Sequence, residues 1–303
     1  MICFYIIYMK QTGFSEITED RLNYQGKDPW YCEIAITGKC NFSCKYCNRF
    51  NADVNLETLK SYFDTVDQFK HIQITGGEPT VHPDFFEIMK LCRSKTIKLG
   101  LSTNGTFGVD NYLKCGADMF SISLDDYDLH ILENRGYKNP EGIIKTIKEL
   151  AKTKYVNIGL VIDSINIDRI EKIIDYIIGL GVNDIKLSTS TKDQLMPVFT
   201  KSYSDFPILA YRVERFKQGK QMRGNPCKTC GICRNDVTIV GDKHYPCLVY
   251  FREKGKAIGM VNDTMMTDRL EWSETHDCVN DPICNQYCMD FKCEFNNSLT
   301  NSK

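Results

Sequence analysis

The chain has 303 residues, 42% of them hydrophobic and 25% charged, with a formal net charge of −1. That length and apolar content suit one large domain with its own core plus a smaller one. Acids and bases are interspersed with no long single-sign run, unlike the basic face of a nucleic-acid binder, so no nucleic-acid partner is expected.

The opening "MICFYIIYM" is apolar over residues 1–9. It is too short to span a membrane, and no positive residue precedes it as in a signal peptide. It reads as a first strand or an ordered arm over residues 1–29, with Met9 as an alternative start. No membrane partner is expected, and the cytosol is the expected compartment. Thiols stay reduced there, so the fifteen cysteines point to metal or cluster ligation rather than disulfides.

Residues 30–189 alternate β-rich runs with helical patterns. The expected strands are "YCEIAIT" (31–37), "HIQIT" (71–75), "IKLGLST" (97–103), "DMFSISL" (118–124), "VNIGLVID" (156–163) and "NDIKLST" (183–189). Expected helices include 56–69 and 169–181. In the latter, Ile170, Ile173, Ile174, Ile177 and Ile178 carry the spacing of a buried helix face. Six β-then-α units imply a parallel sheet with crossover helices. Six are too few to close an eight-stranded barrel, so the expected fold is α/β, a partial (β/α)6 TIM-type barrel over residues 30–220. "SDFPILAYRVERFKQ" (204–218) reads as its last helix. The strands end in small or polar residues, and ligands bind at the carboxyl ends of parallel strands. Asp126 and Asp163 lie on this rim, where an ordinary strand-end carboxylate is the simpler reading of each; no catalytic acid or base is assigned.

After Cys227 the periodicity weakens, and eight cysteines fall within 67 residues. Residues 221–303 therefore read as a small, cysteine-rich, metal-organised domain. Zinc-ribbon spacing is one reading of it. Cys3, Cys32, Cys92 and Cys115 stand in apolar or helical contexts and read as buried small hydrophobes.

Cys40, Cys44 and Cys47 form C-x3-C-x2-C in the loop after the first strand. A structural zinc wants four protein ligands, and no histidine is near. A [4Fe–4S] cluster normally takes four cysteines, one per iron, so three would leave one iron open. "TGGEP" (75–79) follows the second strand. Gly76 and Gly77 permit close backbone approach, Pro79 fixes the turn, and Glu78 offers an acceptor to a cationic group. "STNGT" (102–106) and "SISLDD" (121–126) end the next two strands.

Together and in this order, these motifs resemble the radical S-adenosylmethionine (SAM) superfamily over roughly residues 30–190. The resemblance implies that Cys40, Cys44 and Cys47 ligate a [4Fe–4S] cluster whose open iron is chelated by SAM. It also implies that an electron from the reduced cluster cleaves SAM, yielding methionine and a 5′-deoxyadenosyl radical that abstracts a hydrogen atom from the substrate. By the same resemblance, Gly76, Gly77, Glu78 and Pro79 meet the SAM amino group. Tyr46 takes the aromatic position near the adenine. Asn104, Ser123 and Asp125 are assigned to polar contacts with SAM, with Asn166 a further candidate. A reducing donor such as flavodoxin or ferredoxin is implied as a partner.

The C-terminal region resembles the SPASM and twitch extensions of this superfamily, which carry auxiliary [4Fe–4S] clusters. Matched by position, Cys227, Cys233, Cys247 and Cys288 are the implied ligands of a first auxiliary cluster. Cys278, Cys284 and Cys288 fit the last three members of the C-x2-C-x5-C-x3-C pattern, but Thr275 stands where the first would be. Cys230 or Cys293 is the expected compensation, so one or two auxiliary clusters are implied. Cys230, Cys233 and Cys247 also match the C-x2-C-x13-C arrangement of GTP 3′,8-cyclases, although the chain ends in "NSLTNSK" without that family's glycine-rich arginine tail. The expected activity is an oxidative modification of a peptide or protein side chain. The alternatives are a twitch-type dehydrogenase of a sugar or cyclitol, a GTP 3′,8-cyclase-like enzyme, and a non-enzymatic metal-binding protein.

Overall fold

Each β-rich run becomes a strand in the computed structural model, which describes residues 28–48, 50–189 and 195–301. In chain order these are β1 (Tyr31–Ala35), β2 (Phe69–Thr75), β3 (Thr96–Thr103), β4 (Met119–Ser123), β5 (Tyr155–Ile162) and β6 (Asp184–Thr189). The helices following them are α1 (Leu56–Asp64), α2 (Phe85–Ser94), α3 (Val109–Lys114), α4 (Leu129–Asn134), α5 (Pro140–Ala151), α6 (Ile170–Ile178) and α7 (Pro207–Lys217). The α/β class and the six successive β-then-α units are as expected. Residues 1–27 of the expected arm, with Cys3 and Met9, lie outside the described residues.

Local chemistry sets the helix ends. The Asn55 side chain accepts from the Glu57 and Thr58 N–H groups and starts α1. Thr65 closes it, its hydroxyl donating to Tyr62 O. The helix is shorter than the expected 56–69 because Phe69 already begins β2. Helix α6 buries Ile170, Ile173, Ile174 and Ile177 of the face its spacing predicts, while Ile178 at its end is half-buried. It stops at Ile178, short of 181, where Gly179 caps it and Gly181 takes a φ of 83°.

The described residues form two compact units. One holds residues 40–47 and 100–221, the other 28–39, 48–99 and 222–301. In the first, β3 (from Gly100), β4, β5 and β6 run parallel, with Ser123 opposite Gly159 and Ile162 opposite Thr189. In the second, β1 pairs parallel with β2, Ala35 lying opposite Thr75.

The other neighbour of β1 was not foreseen. Residues after Cys227 supply β7 (Asp236–Val240), which pairs parallel with β1 and sets Val240 opposite Ala35. Its sequence, "DVTIV", is buried throughout, the signature of a strand covered on both faces. β8 (Lys243–Tyr245) and β9 (Gly259–Met260) extend this sheet antiparallel. Around them lie α8 (Ile232–Asn235), α9 (Leu248–Arg252), α10 (Met265–Thr275), α11 (Pro282–Tyr287) and α12 (Asp290–Asn301).

Arg269 of α10 fastens this region from inside. Its buried guanidinium donates to Cys233 O at 3.0 Å, to Tyr245 O at 2.7 Å and to Asp236 O. His244 lies beside it, also buried, with Nδ1 3.5 Å from the guanidinium. Burial and then the Arg269 charge disfavour a charged imidazole, so the His244 pKa is pushed down to about 4. The unfolded chain takes up this proton near about 6.5. The His244 contribution is therefore complete above that pH and is lost as pH falls towards about 4, a swing of about 3 kcal/mol. Urea midpoints followed over that interval should fall with acid more steeply in the native chain than in His244→Gln. Equal slopes would contradict the assignment.

No described helix is long and apolar enough to cross a membrane. Cys32, Cys92 and Cys115 are buried, as expected, and no described cysteine is in a disulfide.

Candidate cluster and cofactor site

The three-cysteine loop is held by polar and aromatic contacts within its own unit. Asn104, at the end of β3, donates from Nδ2 to Asn41 Oδ1 at 2.7 Å and accepts from the Thr106 hydroxyl at 2.8 Å. Asn41 returns a bond to that hydroxyl at 2.9 Å, closing a ring between the loop and the STNGT turn. Phe42 is buried against Tyr137, with ring centroids 5.1 Å apart. Gly136, at a φ of 95°, lies so near that a Cβ would stand 2.9 Å from the Ser43 carbonyl carbon. Cys40 and Cys44 are partly exposed and Cys47 exposed. Burial, then the Asp125 charge, pushes the Cys44 thiol up to about 11. A metal centre would have to displace that proton.

Asp125 sits behind the loop as its anchor. It is fully buried. Its carboxylate accepts from the Tyr46 hydroxyl, from the Tyr137 hydroxyl at 3.0 Å and from Val161 N at 2.8 Å, and Arg135 lies 3.4 Å away. Tyr46 and Asp125, assigned separately from sequence, are thus brought together, with the Arg135 guanidinium 5.4 Å from the Tyr46 ring centroid. Ser123 is exposed at the end of β4. Asn166 spends its amide on the backbone, donating to Asp125 O and Val161 O and accepting from Asp163 N. The other rim carboxylates are engaged too: Asp163 pairs with Arg135 at 2.8 Å, and Asp126 pairs with Arg169 and accepts from Tyr127 N and Asp128 N.

Sequence reasoning missed Arg135, Gly136 and Tyr137, which support the loop from behind. Their signal was available as a glycine between a cation and an aromatic, downstream of SLDD.

The GGEP turn belongs to the other unit, where it lies along the strand exit that leads into Cys40. Gly77 N donates to Thr37 O at 2.7 Å and Glu78 N to Lys39 O at 2.8 Å. A Cβ on Gly76 would stand 2.4 Å from Thr37 O, and one on Gly77 2.3 Å from Lys39 O. Only glycine permits this approach. Glu78 is buried and accepts from the Thr80 N–H and hydroxyl, and Pro79 starts a single 3-10 turn. Asp53 braces the exit, taking the Thr37 hydroxyl and pairing with Lys39 at 2.6 Å.

In the C-terminal region, Cys227, Cys230, Cys247, Cys278, Cys284 and Cys288 line one pocket with Tyr250 and Trp272. Of the four positions implied for the first auxiliary cluster, three face this pocket. The fourth, Cys233, is buried with its Sγ 3.8 Å from Arg269 O. Cys293 is buried beside Gly224, whose Cβ would stand 3.0 Å from its Sγ.

Residues 34–177 match the radical SAM superfamily. That match takes in 144 of the 303 residues. The chain is 26% identical to a tungsten-containing aldehyde ferredoxin oxidoreductase cofactor-modifying protein of Pyrococcus furiosus, over 58% of the chain and 54% of the relative. It is 28% identical to a GTP 3′,8-cyclase of Helicobacter pylori, over 79% of the chain and 87% of the relative. It spans about half the length of the first curated relatives it matches. The fold is shared with SuiB of Streptococcus suis, solved bound to S-adenosylmethionine, at a TM-score of 0.59 and 14% identity, covering 85% of this chain and 72% of SuiB. SuiB has also been solved bound to its precursor peptide SuiA.

The match over residues 34–177 implies S-adenosylmethionine and a [4Fe–4S] cluster as the groups this site would hold. The donor set fits: three thiols on one loop for the cluster, and a turn whose backbone only glycine can accommodate.

Proposed function

We propose that the chain is a radical SAM enzyme that oxidatively modifies a peptide or protein side chain, using an auxiliary [4Fe–4S] cluster held by the C-terminal region. The observation that carries this reading is the pocket lined by six cysteines in a region whose strand β7 pairs directly with β1. A peptide substrate is supported by the shared fold with SuiB, which was solved with a precursor peptide.

In this reading Cys40, Cys44 and Cys47 hold the SAM-site cluster, and residues 76–79 with Asn104, Ser123 and Tyr46 orient SAM. Bound there, the cluster and SAM would supply the radical chemistry of hydrogen abstraction, which belongs to the cofactors. The protein's part is positional. Asp125, Arg135 and Tyr137 fix the loop, and Asp53 and Thr37 fix its entry. Cys227, Cys247 and Cys288, with Cys233 or Cys293, hold the auxiliary cluster as an electron acceptor. Flavodoxin or ferredoxin is the class of donor proposed, and the cytosol the compartment.

Deuterium transfer tests the substrate class. The enzyme, SAM and a reductant are incubated with fractions of a fully deuterated extract of the native host. Deuterium should enter 5′-deoxyadenosine from the peptide fraction. Transfer from the sugar and cyclitol fraction alone would replace this reading with the twitch-type dehydrogenase.

A second reading, a GTP 3′,8-cyclase-like activity, is favoured by the extent of the match to the Helicobacter pylori enzyme. Against it, Cys227, Cys278, Cys284 and Cys288 line the same pocket and have no role in the cyclase arrangement. Consumption of GTP by the reduced enzyme with SAM would decide for it.

A further inference from the structure

Helix α10 ends at Thr275, where the C-x2-C-x5-C-x3-C pattern lacks its first cysteine. The next residue is His276. Its ring lies flat on Trp272, with centroids 4.0 Å apart and planes 16° apart, and meets Tyr250 edge-on at 6.0 Å. Asp281 Oδ2 lies 3.4 Å from Nε2 and also accepts the Tyr250 hydroxyl. Its other oxygen accepts from Ile283 N and Cys284 N. The two aromatic rings thus orient the imidazole, and Asp281 stands beside the nitrogen that faces the thiols.

It is oriented towards thiols. Nε2 stands 3.9 Å from Cys284 Sγ, and one ligand atom each from His276, Cys278 and Cys284 lie within 4.8 Å of one another. This is the only such group among the described residues. A third thiol, that of Cys230, lines the same pocket as Cys278 and Cys284. Cys278 N donates to Lys228 O at 2.9 Å, which ties the two segments together.

The spacing selects the kind of centre. A tetrahedral zinc-class ion, with S about 2.3 Å and N about 2.0–2.1 Å away, sets neighbouring ligand atoms about 3.6–3.8 Å apart. The observed 3.9 Å is close to that. The ligands of a [4Fe–4S] cluster bind four different irons and stand farther apart. We propose that His276 Nε2, Cys230, Cys278 and Cys284 form a Cys3His site for a single thiophilic ion of the zinc class. His276 supplies the ligand that Thr275 cannot. Cys227, Cys247, Cys288 and a neighbouring cysteine remain for an auxiliary cluster, so the site stands independently of the proposed substrate.

The test uses the full chain, purified anaerobically from cells supplied with iron and zinc, with metals counted by mass spectrometry. About one zinc per chain is expected, with a zinc-edge X-ray absorption spectrum showing one nitrogen and three sulfur neighbours. His276→Ala should lose that zinc and keep its iron. His276→Cys, which restores four ligands, should keep the zinc with sulfur neighbours only and remains informative if His276→Ala does not fold. Zinc retained in His276→Ala, a sulfur-only spectrum in the native chain, or about four irons in place of the zinc would each overturn the proposal.

Discussion

Replacing Cys40, Cys44 and Cys47 together by alanine is expected to abolish SAM cleavage and remove about four irons per chain. Iron held by the C-terminal cysteines should stay, because those residues belong to the other compact unit. The loop should also keep its shape. The Asn41–Asn104–Thr106 ring, the Phe42–Tyr137 contact and the Tyr46–Asp125 bond do not involve the three thiols. Iron analysis and chromatographic measurement of 5′-deoxyadenosine check both halves. A variant that still cleaves SAM would move the cluster elsewhere.

The second large effect is expected from one methyl group. In Gly77→Ala the new Cβ would lie 2.3 Å from Lys39 O and 2.7 Å from Gly38 O. Both are backbone atoms, so no side chain can swing aside. The turn must shift, at about 1–3 kcal/mol of overpacking, and the chain entering Cys40 shifts with it. SAM affinity should fall at least about tenfold, equivalent to about 1.4 kcal/mol. Gly159→Ala is the control, since a Cβ there meets nothing within 4 Å; it should leave stability near that of the native chain. Equilibrium dialysis with labelled SAM and thermal melts read the two effects. Unchanged SAM affinity in Gly77→Ala would remove the GGEP turn from the binding site.

The six strands were legible because each is a short β-branched run bounded by turns, a pattern that tertiary packing does not override. The cysteine triplet, GGEP and the strand-end motifs were legible because their chemistry is local in sequence. What could not be read was the support behind them. Arg135, Gly136 and Tyr137 meet residues 43, 46 and 125 only through the fold. Asp125 read as an open strand-end ligand, yet its carboxylate is enclosed by two tyrosine hydroxyls, a backbone N–H and Arg135. Strand β7 was hidden because a fully buried parallel strand has no alternation to detect, and cysteines flank it on both sides. His276 drew no attention in the sequence, because proximity to Cys278 and Cys284 acquires meaning only when the ring is fixed against Trp272.

The proposed cleavage of SAM through a cluster on Cys40, Cys44 and Cys47 underlies every other step. Its most direct test is anaerobic incubation of the iron-loaded native chain with SAM and dithionite, followed by quantification of both products. Methionine and 5′-deoxyadenosine should appear together in equal amounts. Intact SAM alongside a fully reduced cluster would contradict the account.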